Sequence, residues 1–213
     1  MQDPRKQLVA SGYDGMSDRY LDWSARVVDP TRDRLFDEFS AKLPDDARVL
    51  DIGCGAGVPW TRRLAVRFDV VGVDISEAQI RLARENVPEA AFVQGDMAAL
   101  NLPEASFDAV TAFYAISHIP REQHPDLFRR IAAWLKPGGL LLATLGATDS
   151  PGWTGEWLGV PMFFSAYDAD ANRFAVRNAG LELLADEVAE VGEPEGNVSF
   201  LWVLARKTSH AGS

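Results

Sequence analysis

The most constraining feature of this sequence is a repeated alternation of short apolar runs with longer helical stretches. Five apolar runs lie at 49–52, 70–73, 91–93, 107–113 and 140–145. Patterns typical of amphipathic helices separate three pairs of these runs, at 61–68, 76–86 and 126–136. Such alternation is typical of a parallel sheet covered on both faces. The chain therefore predicts an α/β fold with helices on both faces of the sheet.

The residues before the first apolar run predict an N-terminal helical cap over 1–44. Asp29-Pro30 is typical of a helix start, because proline at the first helical position loses no hydrogen bond. Apolar residues then recur at helical spacing between positions 35 and 43, which predicts one buried helix face.

The C-terminal part predicts a helix at 168–179 followed by two apolar runs, at 182–188 and 198–206. A turn rich in Gly, Glu and Pro separates the two runs, which predicts an antiparallel hairpin at the sheet edge. We expect a single domain over 1–213. Its parts are the cap at 1–44, a core at 45–146, a segment at 147–167, the C-terminal helix and hairpin at 168–206, and a tail at 207–213.

Composition excludes several classes of protein. The chain is 47% hydrophobic with a formal net charge of −10, so we expect a packed core and no nucleic-acid partner. No apolar run is long enough to span a bilayer and the first residues do not resemble a signal peptide, so we expect a cytoplasmic protein without a membrane partner. The excess of arginine over lysine favours a bacterial source. The one cysteine, Cys54, excludes an internal disulfide and a cysteine metal cluster.

A glycine-rich turn follows the first predicted strand. Gly53, Gly55 and Gly57 lie between that strand and the next helix. Glycine lets the backbone turn tightly and approach a ligand, and a helix N-terminus favours an anionic group. The dinucleotide fingerprint G-x-G-x-x-G would place its third glycine at position 58, where this chain has Val58. The turn therefore indicates a ligand site different from that of nicotinamide enzymes.

Acidic residues end the first three predicted strands. Asp51 lies within the first strand, and Asp74 and Asp96 follow the second and third. Since the carboxyl ends of parallel strands meet at one sheet edge, these carboxylates are expected near the glycine turn. Asp74 suits the two hydroxyls of a ribose, and Asp96 suits the exocyclic amine of a purine.

These motifs together resemble the class I S-adenosylmethionine-dependent methyltransferases, and within them the group often called methyltransferase type 11. The resemblance covers about 48–145 and includes the stretches at 72–76, 102–108 and 135–139. It implies a Rossmann-like, seven-stranded, mostly parallel sheet with the antiparallel C-terminal hairpin. It also implies that the core at 45–146 binds S-adenosyl-L-methionine and that the protein transfers its methyl group by in-line displacement.

The resemblance also implies cofactor-binding residues. The three glycines would line the methionine and ribose portion, Asp51 would support the ammonium group, and Asp74 would hold the ribose hydroxyls. Asp96 and the backbone of Met97 would contact the adenine edge. The complete implied set is Tyr20, Asp51, Gly53, Cys54, Gly55, Gly57, Asp74, Ile75, Gln79, Asp96, Met97, Phe113 and Tyr114.

The acceptor is predicted to be a small, apolar or aromatic molecule. The fourth strand ends without the Pro-Pro-Tyr/Phe signature of enzymes that methylate nucleic-acid amino groups, and without a carboxylate for magnesium, so no metal is expected. The segment 147–167, rich in aromatic, glycine and proline residues, predicts a loop or broken helix that forms a substrate lid. It either packs against the sheet or builds an apolar cleft with the N-terminal helices. The predicted substrate-binding residues are Tyr13, Trp153, Trp157, Phe164 and Tyr167.

His118, just beyond the fourth predicted strand, is the candidate catalytic base, with a purely structural histidine as the alternative. Two other functions stay open at this point. One is a nicotinamide-dependent oxidoreductase, against which the glycine spacing and Asp96 argue. The other is an S-adenosylmethionine-binding module without methyl transfer. The sequence carries no indication of the oligomeric state.

Overall fold

The core of the fold is a sheet of seven strands. The computed structural model describes residues 3–208. Its strands are β1 (Arg48–Ile52), β2 (Asp69–Asp74), β3 (Ala91–Gln94), β4 (Phe107–Ala112), β5 (Leu135–Gly146), β6 (Ser150–Trp157), β7 (Val160–Ala166), β8 (Leu181–Glu193) and β9 (Gly196–Lys207). The main sheet has the order β3-β2-β1-β4-β5-β9-β8, and β6 and β7 form a separate pair.

Strands β1 to β5 pair in parallel, whereas β9 pairs antiparallel with both β5 and β8. The predicted Rossmann-like, mostly parallel sheet with an antiparallel C-terminal hairpin is therefore confirmed.

Within the described residues, six α-helices accompany the strands: α1 (Pro4–Ser24), α2 (Pro30–Ala41), α3 (Trp60–Ala65), α4 (Glu77–Asn86), α5 (His124–Trp134) and α6 (Ala169–Asn178). Side chains cap the first turns of α1, α2, α4 and α6, and these caps are Asp3, Asp29, Ser76 and Asp168. Each cap satisfies a backbone N–H that has no partner within its helix. None of the helices between residues 3 and 208 is both long and apolar enough to cross a membrane.

Helices cover both faces of the sheet, as predicted. Successive side chains of a strand point to opposite faces. Leu50 therefore joins the core formed with α5 and α6, while Val49 joins the core formed with α2 and α3. Each fully buried aliphatic or aromatic side chain stabilises the fold by roughly 1.5–3 kcal/mol.

Helix α1 packs over the end of β2 and against β7. Asp14 accepts hydrogen bonds from Ser76 Oγ at 2.6 Å and from the backbone N–H of Ala78 at 3.0 Å. On the other side, Gly12 lies so close to β7 that a Cβ at this position would be 2.7 Å from Met162 Cε. These contacts fix α1 across the edge of the sheet where β1 to β4 end.

The segment 147–167 differs from the predicted loop or broken helix. It forms the antiparallel hairpin β6–β7, joined by a turn in which Leu158 and Gly159 have φ of 50° and 75°. Met162 and Phe163 are buried against Val9 and Met16 of α1. The predicted loop or broken helix is therefore wrong, because strand pairing and burial against a helix distant in sequence order the segment as a hairpin.

Several predicted boundaries also shift. The helix predicted at 126–136 ends at Trp134, because Leu135 already pairs with Phe107 as the first residue of β5. The strands of the C-terminal hairpin are longer than predicted, and β9 includes the first residue of the predicted tail at 207–213. Residues 209–213 of that tail lie outside the described residues.

Candidate active site

The glycine turn directly follows β1, and the backbone N–H of Gly53 donates to the carbonyl of Val73 near the end of β2. Gly53, Gly55 and Gly57 have φ of 73°, 54° and 75°, a region that disfavours residues with a Cβ. A Cβ on Gly53 would be 2.1 Å from the Cβ of Ala115, so only glycine fits there. Gly57 instead packs against Val87 at the end of α4 and is not among the residues that line the two cavities described below; its predicted contact with the cofactor stays a prediction.

Asp74 ends β2 beside this turn. Its carboxylate accepts hydrogen bonds from the backbone N–H groups of Gly55 and Ser76, both at 2.9 Å. Burial raises the pKa of Asp74 to about 6, although these two hydrogen bonds oppose the shift. Each carboxylate oxygen retains a lone pair, so the group can still accept from two further donors.

Asp96, beyond the end of β3, is paired with a residue that the sequence analysis missed. Lys6 Nζ of α1 lies 2.7 Å from Asp96 Oδ2, while Asp96 Oδ1 accepts from the backbone N–H of Ala98 at 2.9 Å. The Lys6 side chain is 10% exposed and that of Asp96 is 19% exposed. No sequence motif links these two residues, because their contact depends on where α1 docks.

Asp51 is buried within β1. Thr61 Oγ1 and Thr111 Oγ1 each donate a hydrogen bond to its carboxylate, at 2.6 and 2.8 Å. Burial raises the pKa of Asp51, and the two threonine hydrogen bonds oppose this effect. The carboxylate is thus held in one orientation beside the glycine turn.

Two predicted cofactor residues have other surroundings. Gln79 is fully buried behind the turn, does not line a cavity, and has no hydrogen-bond partner for its side-chain amide within residues 3–208. Cys54 lines the larger cavity described below, and its Sγ packs close to Gly72. Burial raises the pKa of the Cys54 thiol, so this thiol is a poor nucleophile.

Two cavities lie at this edge of the sheet. The smaller is lined by Lys6, Asp74, Ile75, Asp96 and Met97, among others. The larger has a volume of about 880 Å³ and extends from the glycine turn to the hairpins β6–β7 and β8–β9. Both are lined by Tyr13, Tyr20, Gly53, Gly55, Phe113, Tyr114 and His118. The two cavities therefore meet along these residues and form one cleft.

His118 lies in this shared wall, with both ring nitrogens engaged. Nδ1 is 3.2 Å from the backbone carbonyl of Phe163, and Nε2 is 2.8 Å from Tyr13 Oη. A carbonyl only accepts, so the contact assigns the proton to Nδ1 and leaves Nε2 to accept from the Tyr13 hydroxyl. Burial lowers the pKa of His118 to about 4 and raises the pKa of Tyr13. Both side chains are therefore neutral near pH 7.

Tyr114 follows β4 with a φ of 56°, an uncommon conformation for a residue with a Cβ. Its hydroxyl donates to Asp29, whose carboxylate also accepts from Trp202 Nε1 at 3.0 Å. Burial raises the pKa of Tyr114. These contacts hold the tip of β4 against α2 and β9.

The predicted substrate residues separate into two groups. Trp157 and Phe164 line the large cavity with Tyr13, and the ring centroids of Trp157 and Tyr13 are 6.3 Å apart. Trp153 is 45% exposed, and Tyr167 packs beside His124, so neither lines the cavity. Tyr167 lies beyond the end of β7. The structure therefore brings Tyr13, Trp157 and Phe164 together in one cavity wall and places Trp153 and Tyr167 outside it.

Other walls of the large cavity come from parts of the chain that sequence analysis did not assign to it. Helix α2 contributes Arg32, and Pro59 lines the cavity just before α3. The hairpin β8–β9 contributes Glu193, Asn197 and Phe200. The sequence predicted the C-terminal hairpin itself, but not that it lies near the glycine turn, because that proximity follows only from the strand order.

The groups at this edge fit S-adenosylmethionine. Asp74 can accept from ribose hydroxyls, Asp96 from an exocyclic amine, and Asp51 from an ammonium group. The aliphatic side chain of Ile75 can cover an adenine ring. A Cβ built on Gly55 would have no heavy atom closer than 3.6 Å, so its backbone is accessible to a ligand.

Comparisons with known proteins agree with this chemistry. A family model described as a methyltransferase domain matches residues 49–139. The chain is 31% identical over 215 residues to 27-O-demethylrifamycin SV methyltransferase of Amycolatopsis mediterranei, with 91% of this chain and 68% of that protein covered. It is 40% identical over 129 residues to trans-aconitate 2-methyltransferase of Variovorax paradoxus, with 57% of this chain and 49% of that protein covered. The chain thus spans about half the length of the latter relative.

A solved structure shares the fold. The 1,6-didemethyltoxoflavin-N1-methyltransferase of Burkholderia thailandensis, with bound 1,6-didemethyltoxoflavin and S-adenosylhomocysteine, superposes with a TM-score of 0.70 at 23% identity. The superposition covers 97% of this chain and 88% of that one. These matches set aside the nicotinamide-dependent alternative. The chain belongs to the class I S-adenosylmethionine-dependent methyltransferases, with S-adenosyl-L-methionine as its cofactor.

Proposed function

We propose that this protein methylates a small, largely apolar or aromatic molecule that binds in the large cavity. The observation that carries the proposal is the joining of the two cavities. The smaller cavity contains the carboxylates that suit the nucleoside, and the larger one continues past Tyr13 and His118 into a space of about 880 Å³ walled by aromatic side chains. That volume is within the range of small-molecule sites.

The cofactor supplies a methyl group that is already activated by a positive sulfur. The protein then needs to align an acceptor atom with that methyl group and to exclude water. Trp157 and Phe164 pack edge to face, with ring centroids 5.5 Å apart, and provide a rigid apolar wall for this purpose. Alignment of this kind can correspond to an effective molarity of about 10⁵–10⁸ M.

Tyr13 and His118 provide the polar contact for the acceptor. Because the ring nitrogens of His118 contact Tyr13 and the carbonyl of Phe163, we propose that the acceptor's nucleophile hydrogen-bonds to Tyr13 Oη. His118 can then act as a base only through Tyr13. In that step Tyr13 Oη takes the acceptor's proton while its own proton moves to Nε2, leaving His118 as an imidazolium.

The comparisons support a small-molecule acceptor. Two relatives are named for methyl transfer to 27-O-demethylrifamycin SV and to trans-aconitate, both of them small molecules. The net charge of −10 also disfavours a nucleic-acid acceptor. The walls of the cavity, and not the name of a relative, decide which acceptor fits.

The test measures cofactor binding and turnover separately. Calorimetry should show binding of S-adenosylhomocysteine and no comparable binding of NADH. Incubation with S-adenosylmethionine and a panel of small aromatic alcohols, thiols, amines and acids should produce S-adenosylhomocysteine only with acceptors that fit the cavity. Binding without turnover across the panel would favour the alternative of a cofactor-binding module without methyl transfer.

A further inference from the structure

Arg32 places a cation in the wall of the large cavity. It lies in the first turn of α2, where its backbone N–H donates to Asp29 Oδ1 at 3.0 Å. Its guanidinium carbon is 4.5 Å from the ring centroid of Trp60 and 5.7 Å from that of Tyr114. A guanidinium that lies over an aromatic face keeps the N–H groups at its edge available for an acceptor in its own plane.

In the described part of the chain, no carboxylate pairs with this guanidinium. Its Nε is buried without a hydrogen-bond partner, and within residues 3–208 the Arg32 side chain forms no ion pair. By contrast, the nearby Arg34 and Arg63 each pair with two carboxylates. The adjacent acid, Asp33, pairs with Arg63. Asp29, three residues before Arg32, already accepts from Tyr114 Oη, Trp202 Nε1 and the Arg32 backbone.

The other ionisable side chains that line the large cavity do not supply a partner. Asp51 is held by Thr61 and Thr111. Glu193, in the wall formed by β8–β9, has a pKa raised by burial and by the neighbouring Glu195, and it forms no ion pair with Arg32. The three tyrosines and His118 are neutral near pH 7, because burial raises the pKa of each phenol and lowers that of the imidazole.

We propose that Arg32 binds an oxyanion group of the acceptor, and that the substrate is an apolar or aromatic molecule carrying a carboxylate. This inference rests on the proposed function and specifies the acceptor class for the same site. A planar guanidinium matches the two oxygens of a carboxylate in bidentate geometry, and such charged hydrogen bonds are stronger than neutral ones. The aromatic walls bind the rest of the molecule, while Arg32 fixes its orientation toward the glycine turn.

Matched ligand pairs test this inference. Protein saturated with S-adenosylhomocysteine is titrated with phenylacetate, 2-naphthylacetate and indole-3-acetate, and with the neutral amide of each, while tryptophan fluorescence or heat is recorded. We expect at least one acid to bind about tenfold or more tightly than its amide, which corresponds to about 1.4 kcal/mol. 2-Naphthyl phosphate tests whether a phosphate replaces the carboxylate; a preference for it over 2-naphthylacetate would overturn the carboxylate assignment.

Variants assign the effect to Arg32. Arg32→Gln should remove the preference for the acid, and Arg32→Lys should keep part of it because the charge remains. Arg34→Gln makes the same change in net charge at an exposed position of the same helix and should leave the preference unchanged. Equal binding of acids and amides by the unmodified protein, no binding of any acid, or an unchanged preference in Arg32→Gln would overturn the inference. Since every titration begins with bound S-adenosylhomocysteine, these outcomes differ from a failure to bind the cofactor.

Discussion

Lys6 of α1 and Asp96 beyond β3 form an ion pair of 2.7 Å across the smaller cavity. The pair joins the first helix to the carboxylate that suits an adenine amine. Both side chains are largely buried, so their attraction is screened less than that of a surface pair. Helix α1 is thereby fastened over the site that we assign to the nucleoside.

We expect Lys6→Met to accelerate the dissociation of S-adenosylhomocysteine. Loss of an interaction of about 1.4 kcal/mol corresponds to a tenfold faster dissociation rate. Methionine retains much of the apolar length of lysine, so the substitution removes mainly the charge. Stopped-flow fluorescence measures the dissociation rate. Lys42→Met, at an exposed position after α2, is the matched control and should be neutral. An unchanged rate in Lys6→Met would show that the pair does not retain the cofactor.

The affinity for S-adenosylhomocysteine should increase as the pH rises through about 6, the pKa to which burial raises Asp74. The ionised carboxylate is the better acceptor for ribose hydroxyls, so ligand binding favours ionisation. Asp74→Asn should bind at least about tenfold more weakly at pH 8, since hydrogen bonds to a charged group contribute about 1.5–3 kcal/mol each. Calorimetry at several pH values checks both statements. A pH dependence retained in Asp74→Asn would assign it to another group.

The stability of the ligand-free protein should respond to Asp74 in the opposite direction. Its pKa in the folded protein, about 6, lies above the ordinary value of 3.8. The contribution of Asp74 to the free energy of unfolding is therefore complete below pH 3.8 and is lost as the pH rises through about 6. Denaturant unfolding of Asp74→Asn beside the unmodified protein measures this contribution. The difference between the two proteins should change over that interval and be constant above it.

Trp157→Ala should weaken acceptor binding and leave the affinity for S-adenosylhomocysteine nearly unchanged. Trp157 packs against Phe164 in the wall of the large cavity, whereas Trp153 on the same strand is 45% exposed and lies outside it. Trp153→Ala is therefore the matched control and should alter neither property. Steady-state kinetics with the best acceptor of the panel measure the effect. Equal losses in both variants would show a general role of the hairpin β6–β7 rather than a wall.

His118→Ala and Tyr13→Phe should each lower kcat while retaining cofactor affinity. On hydroxyl or thiol acceptors we expect a loss of at least about a hundredfold, within the range of a positioned base. The double variant should lose little more than either single variant, because both substitutions break the 2.8 Å contact between these residues. Tyr167→Phe, outside the cavity, serves as the control. Additive losses would show that the two residues act independently.

The deficit of His118→Ala should shrink as the pH approaches the acceptor's own pKa, because the acceptor then ionises without help. This profile separates a proton-transfer role from a positioning role. A deficit of the same size at every pH would identify His118 as a residue that positions Tyr13.

Gly53→Ala should disrupt the site more than Gly138→Ala. Both glycines have φ above 70°, but a Cβ at Gly138 would meet nothing within 4 Å, whereas one at Gly53 would clash with Ala115. The shared conformational cost is about 1–2 kcal/mol. We expect a further loss of roughly 1–3 kcal/mol at Gly53, typical of overpacking, together with loss of S-adenosylhomocysteine binding. Equal unfolding free energies for the two variants would contradict this assignment.

The sequence predicted those features that depend on local order along the chain. Gly53 and Asp74 were identifiable because each directly follows a continuous apolar run that predicts a strand, and parallel strands bring their carboxyl ends together. The C-terminal hairpin was identifiable from two apolar runs around a turn.

Features that depend on contacts between residues far apart in the sequence were not predicted. The glycines and prolines of 147–167 suggested a loop, whereas contact with α1 makes Met162 and Phe163 a buried part of a hairpin. Lys6 and Arg32 carry no motif, and their positions in the cleft follow from how α1 and α2 dock. Trp153 and Trp157 lie four residues apart on β6 and project from the same side of the strand, so neither residue type nor strand alternation reports that only Trp157 lines the large cavity.

The order along the chain of the segments that form the cleft has an evolutionary consequence. The residues assigned to the nucleoside and to the glycine turn lie mostly between β1 and the end of β4, whereas many walls of the large cavity come from α1 and α2 before them and from β6 to β9 after them. Insertions or exchanges in these outer segments can reshape the acceptor space without altering the strands that hold the cofactor. Acceptor preference can therefore diverge faster than cofactor use, and chimeras that exchange these outer segments between relatives would transfer acceptor selectivity along with them.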